Sequence, residues 1–230
     1  MRLHRFFIPG RKISGEIEVI EDKSLLNQWR NVFRFKAGNR VVIFDGRGDE
    51  FIATIESLSK GDAVLRIKEK KKGIMPRKNL WLFVSLIKKD KLEWVVEKAT
   101  ELGVSHIVPL LSERGEKKGY NVLRLRKIAI EAAEQSGRTT IPPIHEALTV
   151  PEALKEHKFS LFVCDPRGAS RYQLPAPDST FGILIGPEGG WSDKEIELFK
   201  ARVAELISLG GTTLRAETAA IAATTLALFL

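Results

Sequence analysis

The 230-residue chain has one cysteine, Cys164, which excludes a disulfide framework and a thiolate metal site. Its four histidines, His4, His106, His145 and His157, are scattered with no H-x-x-x-H pair. Each therefore reads as structural or exposed, and no metal is expected. No G-x-x-x-x-G-K-S/T segment occurs, which removes a phosphate-cradling NTPase loop, and no G-x-S-x-G elbow marks a serine nucleophile. Gly46 and Gly48 open a G-x-G, but Phe51 stands where a third glycine would be, and the setting is a hairpin turn. There is no apolar run of membrane-spanning length, no signal-peptide core after Met1, no internal repeat and no low-complexity tract. A cytoplasmic chain with no membrane partner is expected.

What is present in excess is positive charge, at 37 Lys+Arg against 29 Asp+Glu, and it is unevenly placed. Residues 1–72 hold 16 basic and 10 acidic side chains, whereas the remaining 158 are near balance at 21 and 19. A basic small domain beside a nearly neutral larger one suggests an anchor for a polyanion attached to a catalytic body. The alternative is a solvated, soluble surface.

Residues 1–72 read as β-rich. A strand is expected at 3–8, and a helix over 22–33 with Leu25, Leu26, Trp29 and Phe33 on one face. A hairpin of 41–44 and 51–58 turns at Asp45-Gly46-Arg47-Gly48, and another strand follows at 63–67. Several short strands with one helix suggest a small barrel. The lysine-rich run from Lys68 to Gly73, ahead of Pro76, is expected to be an exposed linker, giving domains 1–72 and 73–230. Beyond it the period changes. Strands are expected at 80–87, 106–111, 161–164, 181–185 and 204–209, and helices at 89–102, 121–136, 193–201 and 217–230. Gly103 and Gly137 end the first two helices. The alternation means an α/β parallel sheet with ligands at the carboxyl ends of its strands.

The stretch IGPEGGWSDKE at 185–195 organises this half. An apolar strand runs into Gly186, Pro187, Gly189 and Gly190, where almost no side chain blocks the backbone, and Ser192 with Glu195 has capping-box spacing. A second bare loop follows about 20 residues on, at Leu209-Gly210-Gly211, before Leu214-Arg215-Ala216-Glu217-Thr218-Ala219. Either loop alone could serve only a tight turn. Together they suggest one pocket, suited to a flat, partly apolar cofactor recognised by main-chain groups, such as an adenine.

LIGPEGGWSDKE with LGGTTLRAETA resembles the SPOUT class of S-adenosylmethionine-dependent RNA methyltransferases, and more narrowly the 16S rRNA uridine-N3 methyltransferase family, small subunit methyltransferase E. The similarity runs the length of the chain, through RFFIPG, NVFRFKAGNRVVIFDGRGDEF, KATELGV at 98–104, SER at 112–114, EQSGR at 134–138 and DPRGAS at 165–170. Ala216 stands where the family has Thr in LRTET, and Phe33 where it has Leu, so a hydroxyl contact at 216 is missing.

The resemblance implies a PUA-like RNA-binding β-barrel followed by a SPOUT domain with a C-terminal trefoil knot. It implies S-adenosylmethionine as cofactor, S-adenosylhomocysteine as product, no metal, a homodimer, and 16S rRNA of the small ribosomal subunit as partner. The cofactor positions it implies are Ile185, Gly186, Pro187, Gly189 and Gly190 in the first loop. From the second loop and the last helix come Leu209, Gly210, Leu214, Thr218 and Ala219, with Cys164 beside them. RNA contacts fall on Arg2, Arg5, Arg34, Arg114, Arg138 and Arg167.

Methylation at uracil N3 requires loss of a proton from a base extruded from pairing. Candidates are Glu188 and Glu217 as base or orienter, and Arg215, Arg138 or Arg5 as cationic stabiliser. Glu188 and Glu217 could equally satisfy N–H groups at helix starts. Methylation of another base or ribose position, or a non-catalytic role in ribosome assembly, remains open on sequence alone.

Overall fold

The computed structural model of the chain describes residues 3–76, 78–116, 119–170, 173, 175–176 and 178–229. It divides into two compact units, residues 1–75 with 133–140 and residues 76–132 with 141–230.

The first unit contains β1 (Arg5–Phe7), β2 (Ile17–Ile20), α1 (Lys23–Asn27), a π-helical turn (Gln28–Val32), β3 (Arg40–Phe44), β4 (Asp49–Leu58) and β5 (Ala63–Lys72). Its sheet runs β1-β3-β4-β5-β2, antiparallel except where β1 meets β3. Trp29, Leu26, Phe6, Ile43, Ile55 and Leu65 form its core. The helix expected over 22–33 starts at its cap, where the Asp22 carboxylate accepts from Leu25 N at 2.8 Å. It then changes register into the π turn. Trp29 is driven fully into the core, while Val32 is left 69% exposed.

The lysine run expected to be a linker is instead the end of β5, with Lys70, Lys71 and Lys72 opposite Phe51, Glu50 and Asp49. Ladder hydrogen bonds are indifferent to side chains that reach water. Lys70 and Lys72 both lie 2.8 Å from Asp49, and their ammonium groups hold its carboxyl below the usual range. The short strand β2 was not evident in the sequence.

The second unit contains β6 (Asn79–Ser85), α2 (Lys89–Leu102), β7 (His106–Leu111), α3 (Val122–Ser136), β8 (Leu148–Thr149) and α4 (Val150–Glu156). It continues with β9 (Ser160–Ala169), β10 (Thr180–Ile185), α5 (Asp193–Ala201), β11 (Glu205–Ile207) and α6 (Ala216–Phe229). The last turn of α3 is counted with the first unit. Every pairing in the sheet β11-β9-β10-β6-β7-β8 is parallel. Because side chains alternate across a strand, Leu82, Val84, Ile183 and Ile185 enter one core while Phe83 and Leu184 enter the other. That two-sided burial is why these strands read as unbroken apolar runs. Helix α2 buries Leu92, Val95, Val96 and Ala99 and stops at Gly103, which takes φ +112.

Three histidines expected to stand apart are brought together. His106 Nδ1 lies 3.0 Å from His145 Nε2, and the Trp81 indole stacks on His106 with centroids 3.8 Å apart. His145 and His157 lie 4.9 and 4.7 Å from the same indole. Sequence separation concealed this, because β6 and β7 are neighbours only in the sheet. Burial, with the neighbouring imidazoles, pushes His106 down to about 4. Burial also lowers His145 and His157. Among the described residues no group of three or more His, Cys, Asp or Glu could hold a metal, and no helix is long and apolar enough to cross a membrane.

Candidate functional site

Strands β9, β10 and β11 are paired in parallel, so the loops that leave them emerge at one carboxyl edge of the sheet. After Ile185 the chain passes Gly186, where an added Cβ would meet the Trp191 ring at 3.1 Å. Trp191 is buried, and its indole N–H donates to the Cys164 carbonyl at 3.1 Å. That contact ties the loop after β10 to β9. Gly190 closes the turn with φ +68, its N–H donating to Pro187 O at 2.9 Å.

Helix α5 then begins with a complete capping box. Glu195 N donates to the Ser192 hydroxyl at 3.2 Å, and Ser192 N to the Glu195 carboxylate at 2.8 Å. The other Glu195 oxygen accepts from Glu113 N at 3.0 Å, so this carboxylate also anchors the loop after β7. Beside it, Arg114 Nη1 reaches the carbonyls of Gly189 and Trp191 at 3.1 and 3.3 Å.

The second loop leaves β11 with Ser208 N donating to Ala169 O at 2.8 Å and the Ser208 hydroxyl donating to Gly210 O at 3.1 Å. The amides from Gly211 to Leu214 make no hydrogen bond within the described residues. Helix α6 opens with Ala219 N donating to Arg215 O. Lys91 Nζ lies 3.6 Å from the buried Glu217 carboxylate.

Between the two loops lies a cavity of about 310 Å³. Of the expected cofactor residues, Cys164, Ile185, Gly186, Pro187 and Gly190 line it from one side. Leu209, Gly210, Leu214 and Ala219 line it from the other. Gly189 and Thr218 do not. The first has its carbonyl turned to Arg114, and the second is exposed on α6. Sequence reasoning missed Asp165, Trp191, Ser208, Thr212 and Thr213, all of which border the cavity. Burial, with Asp165 beside it, pushes the Cys164 thiol up to about 12, so it meets the cavity as a neutral group. Burial works to raise Asp165, but the hydrogen bonds and charge of Arg167 outweigh it and hold the carboxyl below the usual range.

The charged candidates separate. Glu188 lies on the cavity wall, while Glu217 and Arg215 do not line it. Arg215 is exposed, and no side-chain partner engages it among the described residues. Arg138 and Arg5, expected to contact RNA, belong to the first unit, and both are engaged by neighbouring groups. Arg138 is only 8% exposed, with Nη2 on the Thr140 hydroxyl at 3.2 Å, and burial lowers it to about 10. Arg5 is paired with Glu50 and also donates to Arg138 O at 3.3 Å. Arg167 grips Asp165 through two nitrogens at 2.8 and 3.0 Å. Arg114 is exposed beyond its two loop carbonyls, and Arg34 is exposed. Arg2 lies outside the described residues.

Residues 75–228 match the RNA methyltransferase domain family, and residues 30–68 match the RNA methyltransferase PUA domain. The chain is 34% identical over 230 residues to ribosomal RNA small subunit methyltransferase E of Rickettsia conorii, covering 97% of this chain and 94% of that one. It belongs to the ribosomal RNA small subunit methyltransferase E family. Another relative of that name, from Bacillus subtilis, is 30% identical over 209 residues, covering 82% of this chain and 81% of its own length. The methyltransferase E of Neisseria gonorrhoeae, solved bound to S-adenosyl methionine, matches with a TM-score of 0.89 at 27% identity. That match covers 98% of this chain and 96% of the solved one. The PUA match falls in the small β unit, and the methyltransferase match spans the parallel sheet.

Proposed function

We propose that this family member methylates N3 of a specific uridine in 16S rRNA of the small ribosomal subunit, using S-adenosylmethionine, as a cytoplasmic homodimer. The observation that carries the reading is the cavity between the two glycine-bearing loops. Its apolar walls, Ile185, Leu209, Leu214 and Ala219, suit an adenine face, and the unpaired amides from Gly211 to Leu214 suit its polar edge. The gonococcal relative holds this cofactor. The segment from β9 to α6 is read as the family's trefoil knot, and the basic first unit as the RNA anchor.

Bound there, the cofactor supplies an electrophilic methyl group on a sulfonium. The chain's task is to fix the acceptor nitrogen in line with it, and such positioning accounts for much of the acceleration in a two-substrate reaction. Uracil N3 lies on the pairing edge, so the target base must be unpaired or extruded. Its proton has to leave as the new N–C bond forms. Glu188, the candidate carboxylate on the cavity wall, is read as the acceptor of that proton. Arg215, exposed at the entry to α6, is read as the cation that meets the charge developing on the base. Glu217, held by Lys91, is read as an anchor of the first turn of α6, where the helix dipole favours a carboxylate.

Methyl transfer from labelled S-adenosylmethionine to small subunits lacking the modification, followed by nucleoside analysis, tests the reading. Label in 3-methyluridine is expected. Label in another nucleoside would discard the target, and no label at all would discard the enzyme. Glu188→Gln should lower turnover at least about tenfold without weakening cofactor binding.

A further inference from the structure

The first unit carries most of the basic surplus. Arg5, Arg11, Arg66, Lys70, Lys71 and Lys72 each sit against a carboxylate. Arg30, Arg34 and Lys36 are among those that do not, and they are set apart by sharing one surface. Among the described residues no ion pair or hydrogen bond engages their side chains, and all three line one surface depression of about 410 Å³ that no acidic residue borders.

The backbone beneath this depression is unusual twice over. Phe33 N donates to Gln28 O at 3.0 Å, closing the π turn, and Phe35 N donates to Trp29 O at 2.9 Å. Between those two bonds Arg34 is held at φ +56, a left-handed conformation that a long side chain rarely adopts. Its neighbours Phe33 and Phe35 stack on each other 5.3 Å apart and pack against the core that buries Trp29. The flanking rings are thus fixed inward and the arginine is held outward. A glycine would take this backbone freely, yet an exposed arginine stands there, bonded to no described residue. π turns and positive-φ side chains recur where a residue must be aimed at a ligand.

We infer that this depression grips the phosphodiester backbone of the RNA substrate, with Arg34 at its centre and Arg30 and Lys36 beside it. Guanidinium groups match phosphate through paired N–H donors, and a lysine adds a point charge. The strained turn fixes where Arg34 leaves the surface, so the guanidinium is positioned before RNA arrives. The inference rests on the RNA reading above.

The test uses the full chain, a naked 16S rRNA transcript and intact small subunits, with affinity measured across salt concentrations. Arg34→Gly should melt no lower than wild type, because the strain is relieved, and should bind S-adenosylmethionine as wild type does. Its affinity for the transcript should fall about tenfold or more, and the salt slope should shrink by about 0.7 to 0.9, the share of one phosphate contact. Lys36→Gln, a surface change that leaves the turn alone, should also shrink the slope. If wild type binds the transcript and both variants bind with the same affinity and slope, the inference is overturned while the RNA reading stands. If wild type binds no rRNA in either form, the RNA reading itself fails. Weakening confined to intact subunits would assign the depression to a ribosomal protein and overturn the RNA assignment.

Discussion

At Gly190 the backbone is left-handed, and an added Cβ would meet nothing within 4 Å. A β-branched side chain there suffers about 1–2 kcal/mol of backbone strain and projects into open space beside the cavity. Gly190→Val is therefore expected to lose S-adenosylmethionine binding in calorimetry, and a wild-type heat would remove this loop from the site. The glycines were legible because their spacing after an apolar strand has a backbone reason. Trp191 was not, since nothing in GGW says that the indole turns under the loop toward Cys164. The arginines show the same limit more sharply. Sequence gives the charge of Arg5 and Arg167 but not the carboxylates, Glu50 and Asp165, that occupy them. For Arg138, a side chain 8% exposed, replacement by Ala should lower the melting temperature before it tells anything about RNA.

At the scale of elements, Glu195 joins two pieces of the site, since it caps α5 and accepts from Glu113 after β7. Glu195→Ala should cost about 1–3 kcal/mol, the penalty for buried N–H groups left unpaired. It should also weaken cofactor binding, because the loop from Gly186 to Trp191 loses its anchor, whereas Glu197→Ala on the exposed face of α5 should do neither. Denaturant midpoints and calorimetry separate the two effects. Helix α2 is readable from its apolar stripe and its Gly103 stop, and α5 from the capping box of Ser192 and Glu195. Helix α4 carries a capping box like that of α5, Thr149 and Glu152 with Pro151 between them, but its 7 residues are too few to display an apolar period. Strand β5 runs on through its lysines because Lys70 and Lys72 meet Asp49 across the ladder, a partner that a run of like charge does not reveal.

For the whole molecule, pH acts through the Trp81 histidine cluster. His106 titrates near 4 when folded against 6.5 for its ordinary value, so between those limits the unfolded chain binds the extra proton. Its contribution to stability is complete above about pH 6.5 and is lost as pH falls toward 4. Urea midpoints should drop across that window, and His106→Gln should flatten the drop. An unchanged slope in that variant would mean other groups govern it.

The strand order carries a kinetic consequence too. In the first unit β3 and β4 meet through a short turn, a contact the chain can find quickly. In the second unit no two strands form a hairpin among the described residues, and β10 must settle between β9 and β6, whose Asn79 meets Thr180 across 101 residues of sequence. Both loops of the cavity hang from strands placed by that distant encounter. During refolding, far-UV ellipticity should recover well before the protein can capture its ligand, so ligand capture is a clock for the slowest contact the chain has to make.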